Sequence, residues 1–154
     1  YFSLIKNIDV YRGRRLGVKI KNYNLTSLTK DTTTIKEFSK GKKFILLDFW
    51  GTWCVPCLEL LPNLKKFHQE NDNVSIISIA LDESIDVVKD YSEKEAMYWN
   101  HAYVDRNNRK GIITDLRVES YLTFILLNDK LKILYKGAGE TALENIEKIL
   151  RSKK

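Results

Sequence analysis

The chain has 154 residues, 44% of them hydrophobic and 30% charged, the balance of a water-exposed domain large enough to bury its own core without disulfides to hold it together. The net charge of +6 and pI near 9.2 come from scattered residues ("YRGRR", "KGKK", "RNNRK", "RSKK") with no nucleic-acid motif beside them. That argues against a nucleic-acid binder and for a solvated basic surface, with contact to an acidic partner or anionic membrane surface at most secondary. No apolar run approaches the roughly 18 to 20 residues of a membrane span.

The chain begins at Tyr1 rather than Met, and the expectation is that an upstream segment has been removed. Residues 1–24 read as an N-terminal extension, the end of that segment, where a membrane or lipid anchor would sit. A single domain over 25–154 follows. "VKIKNYNL" (18–25) alternates apolar and polar residues and is expected to form an edge strand. "TIKEFSKGKK" (34–43) reads as one helical turn closed by Gly41. "KFILLDFW" (43–50) is a near-continuous apolar run, a strand buried on both faces. In "CVPCLELLPNLKKFHQEN" (54–71) Leu58, Leu61, Leu64 and Phe67 recur at helical spacing, and Pro62 should kink that helix. "VSIISIAL" (74–81) is a second buried strand. "ESIDVVKDYSEKEAM" (83–97) is helical, and "HAYVD" is a short strand. Residues 111–118 give no clear signal. "TFILLN" (123–128) and "LKILYKG" (131–137) pair as a hairpin across a short turn. "TALENIEKILRSKK" closes the chain as an amphipathic helix. This order predicts an α/β fold whose central mixed sheet, parallel first and antiparallel at the end, carries helices on both faces.

Both cysteines lie in "FWGTWCVPC" (49–57), two residues apart. A structural zinc site needs about four ligands; there is one pair, and His68 and His101 lack metal-ligand spacing. Haem attachment needs His after the second Cys, where Leu58 stands. A staple between residues three apart closes too small a loop to stabilise much. Redox chemistry remains. A C-x-x-C between a buried strand and a helix puts the first thiol at a helix N-terminus, where free N–H groups favour a thiolate. No cofactor and no metal are expected.

"FILLDFWGTWCVPC" resembles the active-site strand and turn of the thioredoxin superfamily, whose signature is W-C-x-P-C. Pro62, five residues after Cys57, falls where that family kinks its helix. "YLTFILLNDKLKILYKGAG" resembles its later hairpin. The longer separation between these parts, read as an inserted strand–helix segment within 82–110, and the N-terminal extension are similar to the TlpA/ResA-like branch of bacterial enzymes working outside the cytoplasm. The resemblance covers about residues 25–150. It implies a thioredoxin-like fold and a thiol–disulfide oxidoreductase of a reductase branch, acting in the periplasm or another extracytoplasmic space on disulfide-containing proteins. It also implies an upstream thiol reductant and a monomer.

Under that resemblance Cys54 is the nucleophile and Cys57, expected to be the more buried, the resolving thiol. Asp48, a carboxylate in an apolar strand, would have a raised pKa if buried and would accept the Cys57 proton; the alternative is a strand-end aspartate that reaches water or caps a helix. Trp53, Val55 and Pro56 shape the turn: Trp53 as a flat apolar surface, Val55 as a neutral spacer, Pro56 as a first-turn proline. Glu59 reads as surface, and His68 and His101 as structural or surface residues. Tyr121, Leu122 and Thr123 would line a substrate groove. The family places a cis-proline where Leu122 stands, and the only prolines here are Pro56 and Pro62. A cis bond before a non-proline costs about 2.5 to 4 kcal/mol, so the Tyr121–Leu122 bond is expected to be trans and the loop reshaped. Two other classes stay open: a non-catalytic binding module with an altered loop, and a peroxiredoxin-like peroxidase. The latter expects Thr or Ser where Gly51 stands.

Overall fold

The computed structural model describes residues 16–153. Seven strands and six helices follow one another as β1 (Asn24–Ser27), β2 (Thr32–Thr34), α1 (Ile35–Phe38), β3 (Phe44–Trp50), α2 (Val55–Glu59), α3 (Leu61–Glu70), β4 (Val74–Asp82), α4 (Ile85–Lys94), β5 (Asn100–Asp105), α5 (Ile112–Asp115), β6 (Thr123–Asn128), β7 (Ile133–Ala138) and α6 (Gly139–Ser152). They build one sheet in the order β2-β1-β5-β4-β3-β6-β7. β3, β4 and β5 are parallel, β6 and β7 antiparallel at one side, β1 and β2 antiparallel at the other. The mixed sheet is the expected one.

Successive side chains of a strand leave on opposite faces, so the apolar runs of β3, β4 and β6 divide between two cores. Leu46, Trp50, Ile76, Ala80, Phe124 and Leu126 join residues of α2, α3 and α6 on one face. Ile45, Leu47, Phe49, Ile77, Ile79, Ile125 and Leu127 join Ile35 of α1 and Ile112 and Ile113 of α5 on the other. Asp48 and Ser78 share the parity of the first set. The expected strand–helix insertion corresponds to α4 and β5, which runs parallel beside β4.

Several elements differ from expectation. The stretch 18–25 is not one strand: Lys19 bridges Lys132, with Ile20 N–H donating to Leu131 C=O at 2.9 Å, while Asn24 opens β1 at the other side of the sheet. The helix over 54–71 is two helices meeting at Leu60, because Pro62 has no N–H to continue the ladder and its ring would meet the Leu58 carbonyl. β2 is three threonines with no apolar alternation, paired to β1. α5 is four residues after Gly111, whose φ of 69° suits glycine. The first fifteen residues of the expected extension lie outside the described residues. Among those described, no helix is long and apolar enough to cross a membrane.

Candidate active site

β3 ends at Trp50, and the chain turns through Gly51, Thr52 and Trp53 into α2. Cys54 N–H donates to Gly51 C=O at 3.1 Å, which closes the turn. Cys54 is the N-cap of α2: its sulfur accepts from Cys57 N–H at 3.3 Å. Pro56 lies in the first turn, where its missing N–H costs nothing. Cys54 Sγ and Cys57 Sγ are joined at 2.10 Å.

The turn is fixed from β4. Asp82 Oδ2 accepts from Thr52 N–H at 2.8 Å, and Oδ1 from Thr52 Oγ1 at 3.2 Å and Glu83 N–H at 3.1 Å. Trp53 Nε1–H donates to Leu81 C=O at 2.7 Å. Its ring meets Tyr121 edge-on at 5.3 Å and carries the Arg106 guanidinium 5.4 Å from its centroid. Trp53 is 40% exposed and Val55 61%, an apolar rim beside the disulfide. Gly51 has no room for a side chain: a Cβ there would lie 2.8 Å from Leu81 C=O and against Trp53 Nε1. Gly51→Ala should therefore displace Trp53 and break its bond to Leu81. The expected cost is about 1 to 3 kcal/mol, read as a lower denaturant midpoint together with a shift in tryptophan emission.

Cys57 is not the more covered of the pair. Cys54 is 3% exposed and Cys57 7%. In the disulfide, Cys54 lies in the same apolar cluster as Cys57 and Leu122, with Tyr121 packed against that cluster. The Tyr121–Leu122 peptide is cis, against the trans expectation. Residue type speaks only for an isolated peptide, whereas here the bond is framed on both sides. Thr123 Oγ1 donates to Ser120 C=O, and Gly139 N–H donates to Leu122 C=O.

A cavity with about 10 Å³ in which a water-sized sphere can be centred, the lower limit for one water, lies beneath the disulfide. Asp48, Cys57, Tyr91, Met97 and Leu122 are among its walls. Asp48 is 1% exposed and does not reach bulk solvent. Ser78 Oγ–H donates to its Oδ2 at 2.7 Å, and its Oδ1 has no partner among the described residues. Burial disfavours the charged form and outweighs the serine bond, which favours it; the pKa rises to about 7.

Residues 41–133, more than half of the chain, match the family model described as Thioredoxin-like. The chain belongs to the thioredoxin-like family. This thioredoxin-like chain is similar to the thioredoxin-like protein YneN of Bacillus subtilis, 29% identical over 126 residues that make 77% of this chain and 68% of YneN. It is also similar to the thiol-disulfide oxidoreductase ResA of Bacillus cereus, 28% identical over 98% of this chain and 82% of the relative. Among solved structures, the thioredoxin domain of a thiol-disulfide oxidoreductase from Bacteroides vulgatus superposes with a TM-score of 0.75 at 21% identity. That match covers 88% of this chain and 97% of the other.

On this thioredoxin-like frame the residues named from sequence gather at one place: Cys54, Cys57, Trp53, Tyr121 and Leu122 around the disulfide, and Asp48 below it. Thr123 faces inward and holds the loop through Ser120. Glu59 is exposed. His101 is buried with its pKa lowered by that burial, its Nε2 2.8 Å from Met97 C=O; His68 sits beside Trp99 at 5.3 Å between ring centroids. Among the described residues no group of three or more His, Cys, Asp or Glu is placed to hold a metal ion. The sequence reading missed Asp82, Ser78 and Trp99. Ser78 left a trace, one of two hydroxyls inside a mostly apolar strand; Asp82, at the end of the same strand, resembles any strand-end carboxylate.

Proposed function

We propose that this chain is a thiol–disulfide oxidoreductase that reduces protein disulfides outside the cytoplasm through Cys54 and Cys57. The observation that carries the reading is the bonded pair itself, with Cys54 on the N-cap of α2 and a buried carboxylate lining a cavity with Cys57. The ResA relative, named a thiol-disulfide oxidoreductase and matched over nearly the whole chain, supports it.

In the reduced protein the Cys54 thiolate attacks one sulfur of a substrate disulfide. That bond breaks, one substrate thiolate leaves, and Cys54 is joined to the other sulfur. Cys57 gives its proton to Asp48 and attacks Cys54 Sγ; the mixed disulfide breaks and the second substrate sulfur leaves with the electron pair. The substrate has gained two electrons and the protein has lost two, which an upstream dithiol must restore. Trp53, Val55 and Tyr121 offer the apolar surface on which the substrate lies, and Thr123, which faces inward, holds the loop that carries Tyr121 and Leu122. Restricting cysteine to the active pair avoids mispairing in an oxidising compartment.

The test is reduction of a model protein disulfide by the reduced protein. Cys54→Ser should fall to the background rate, while Cys57→Ser should accumulate a mixed disulfide that a thiol reductant releases. Equal loss in both variants with no trapped adduct would sink the reading. The potential of the couple checks the direction: a reductant should lie near the thioredoxin value of about −270 mV, an oxidant near about −120 mV.

A further inference from the structure

Asp48, Ser78 and His101 are register partners across three parallel strands, Asp48 beside Ser78 and Ser78 beside His101. Register partners share a face of the sheet, so the row stands on the face that holds Cys57. Trp99, one residue before β5, donates its Nε1–H to Ser78 Oγ at 2.8 Å, and Ser78 donates to Asp48 Oδ2 at 2.7 Å. The first direction is chemically forced, and the second holds while Oδ2 is ionised. An indole N–H only donates, and a hydroxyl has one proton. With Trp99 on a lone pair of Ser78 Oγ, the serine proton has one acceptor among the described residues, Asp48 Oδ2. A proton placed on Oδ2 would turn that bond around and leave the serine proton with no acceptor among the described residues in a fully buried site, which is costly. Oδ1 has no partner among the described residues to lose.

We propose that Ser78 and Trp99 are positioning residues which assign the two oxygens of Asp48: Trp99 aims the Ser78 hydroxyl at Oδ2, and Oδ1 alone is left to take the Cys57 proton. The inference rests on the exchange reaction proposed above. In the resolving step the proton leaves Cys57 Sγ for Asp48 Oδ1 and the thiolate attacks Cys54 Sγ. The Cys54–substrate bond breaks with its electron pair on the substrate sulfur, and the Cys54–Cys57 bond forms.

The titratable groups facing Asp48 are Cys57 from α2 and Tyr91 from α4, both in the cavity wall, and His101 beyond Ser78 on β5. α3 contributes Leu61 and Leu64 to the cavity, and β6 contributes Phe124. In the oxidised protein Cys57 does not titrate, so Asp48 can be followed by itself. The experiment is a pH titration of the Asp48 side-chain carboxyl by carbon-13 NMR in oxidised wild type, Ser78→Ala and Trp99→Phe. It is paired with the rate at which a preformed mixed disulfide on Cys54 resolves at neutral pH. A lost hydrogen bond to a charged group corresponds to a rise in midpoint of about one to two pH units in Ser78→Ala, with resolution slowed on the order of ten-fold and adduct formation unchanged. Trp99→Phe leaves Ser78 in place but frees its proton, and should move both readings the same way by less. Ser78→Thr, which keeps the hydroxyl, should restore them. Unchanged midpoints in folded Ser78→Ala and Trp99→Phe overturn the proposal, as does slowed resolution that Ser78→Thr fails to restore. If the midpoints move as expected while wild type exchanges no disulfide, the oxygen assignment stands and the proposed function falls.

Discussion

As pH rises from about 4 to about 7, the oxidised protein is expected to lose stability relative to an Asp48→Asn variant. The folded-state pKa of Asp48 is raised from 3.8 to about 7. Between those values the unfolded chain has released the proton and the folded chain still holds it. Folding then binds a proton, and stability falls with each unit of pH until the folded pKa is passed. Three units at about 1.4 kcal/mol each give a cost on the order of 4 kcal/mol at pH 8. His101 works in the opposite sense. Burial lowers its pKa, so it adds stability as pH rises toward its unfolded value near 6.5. That contribution is common to both proteins and cancels in the difference. Denaturant midpoints at pH 4.5 and pH 8 should show Asp48→Asn gaining on wild type by several kcal/mol at the higher pH; a difference independent of pH would refute a raised Asp48. The same midpoint suits Asp48 to the proton-accepting role proposed for it. A carboxyl half-ionised near neutral pH accepts a thiol proton and returns it within one cycle, which an ordinary surface aspartate, almost fully ionised, does poorly.

The parts of this architecture that could be read from residues are those where local chemistry and tertiary demand agree. The runs that became β3, β4 and β6 are too apolar for anything but central strands. W-C-V-P-C places a thiol on a helix cap because Pro56 and the following leucines favour a helix there. β2 and α5 were not legible, since three threonines and a four-residue turn draw their stability from the sheet edge and from Ile112 and Ile113 packing beneath it. The relative cover of the two cysteines depended on a third element. Leu122 arrives from a loop 65 residues beyond Cys57 in the sequence and joins the apolar cluster that holds both cysteines; its bulk could be read as cover for Cys54, but the ranking of the two thiols could not. The hydroxyl and indole behind Asp48 were hidden for the same reason, as Ser78 and Trp99 meet only through strand register.

Removing Asp82 should do the most damage for a residue that touches no reacting atom. Its carboxylate takes three hydrogen bonds, two from Thr52 and one from Glu83 N–H. Its carbonyl takes two more, from Tyr103 OH at 3.1 Å and Arg106 N–H at 3.0 Å. The side chain therefore ties the turn before Cys54 to the end of β4, and the backbone ties that end to β5. Asp82→Ala leaves the carbonyl bonds and strips the other three donors of their acceptor. At about 1 kcal/mol for each bond the loss is about 3 kcal/mol, or roughly 6 to 12 °C in melting temperature for a domain of this size. Asp82→Asn keeps one oxygen and should fall between. Thr52→Val removes the hydroxyl bond while keeping the N–H bond, and should cost about 1 kcal/mol. Since Thr52 and Trp53 are the last residues before Cys54, Asp82→Ala should also slow attack on a substrate disulfide at temperatures where the variant is fully folded. A variant as stable as wild type, or destabilised with an unchanged rate of attack, would mean that the turn keeps its shape without the Asp82 carboxylate.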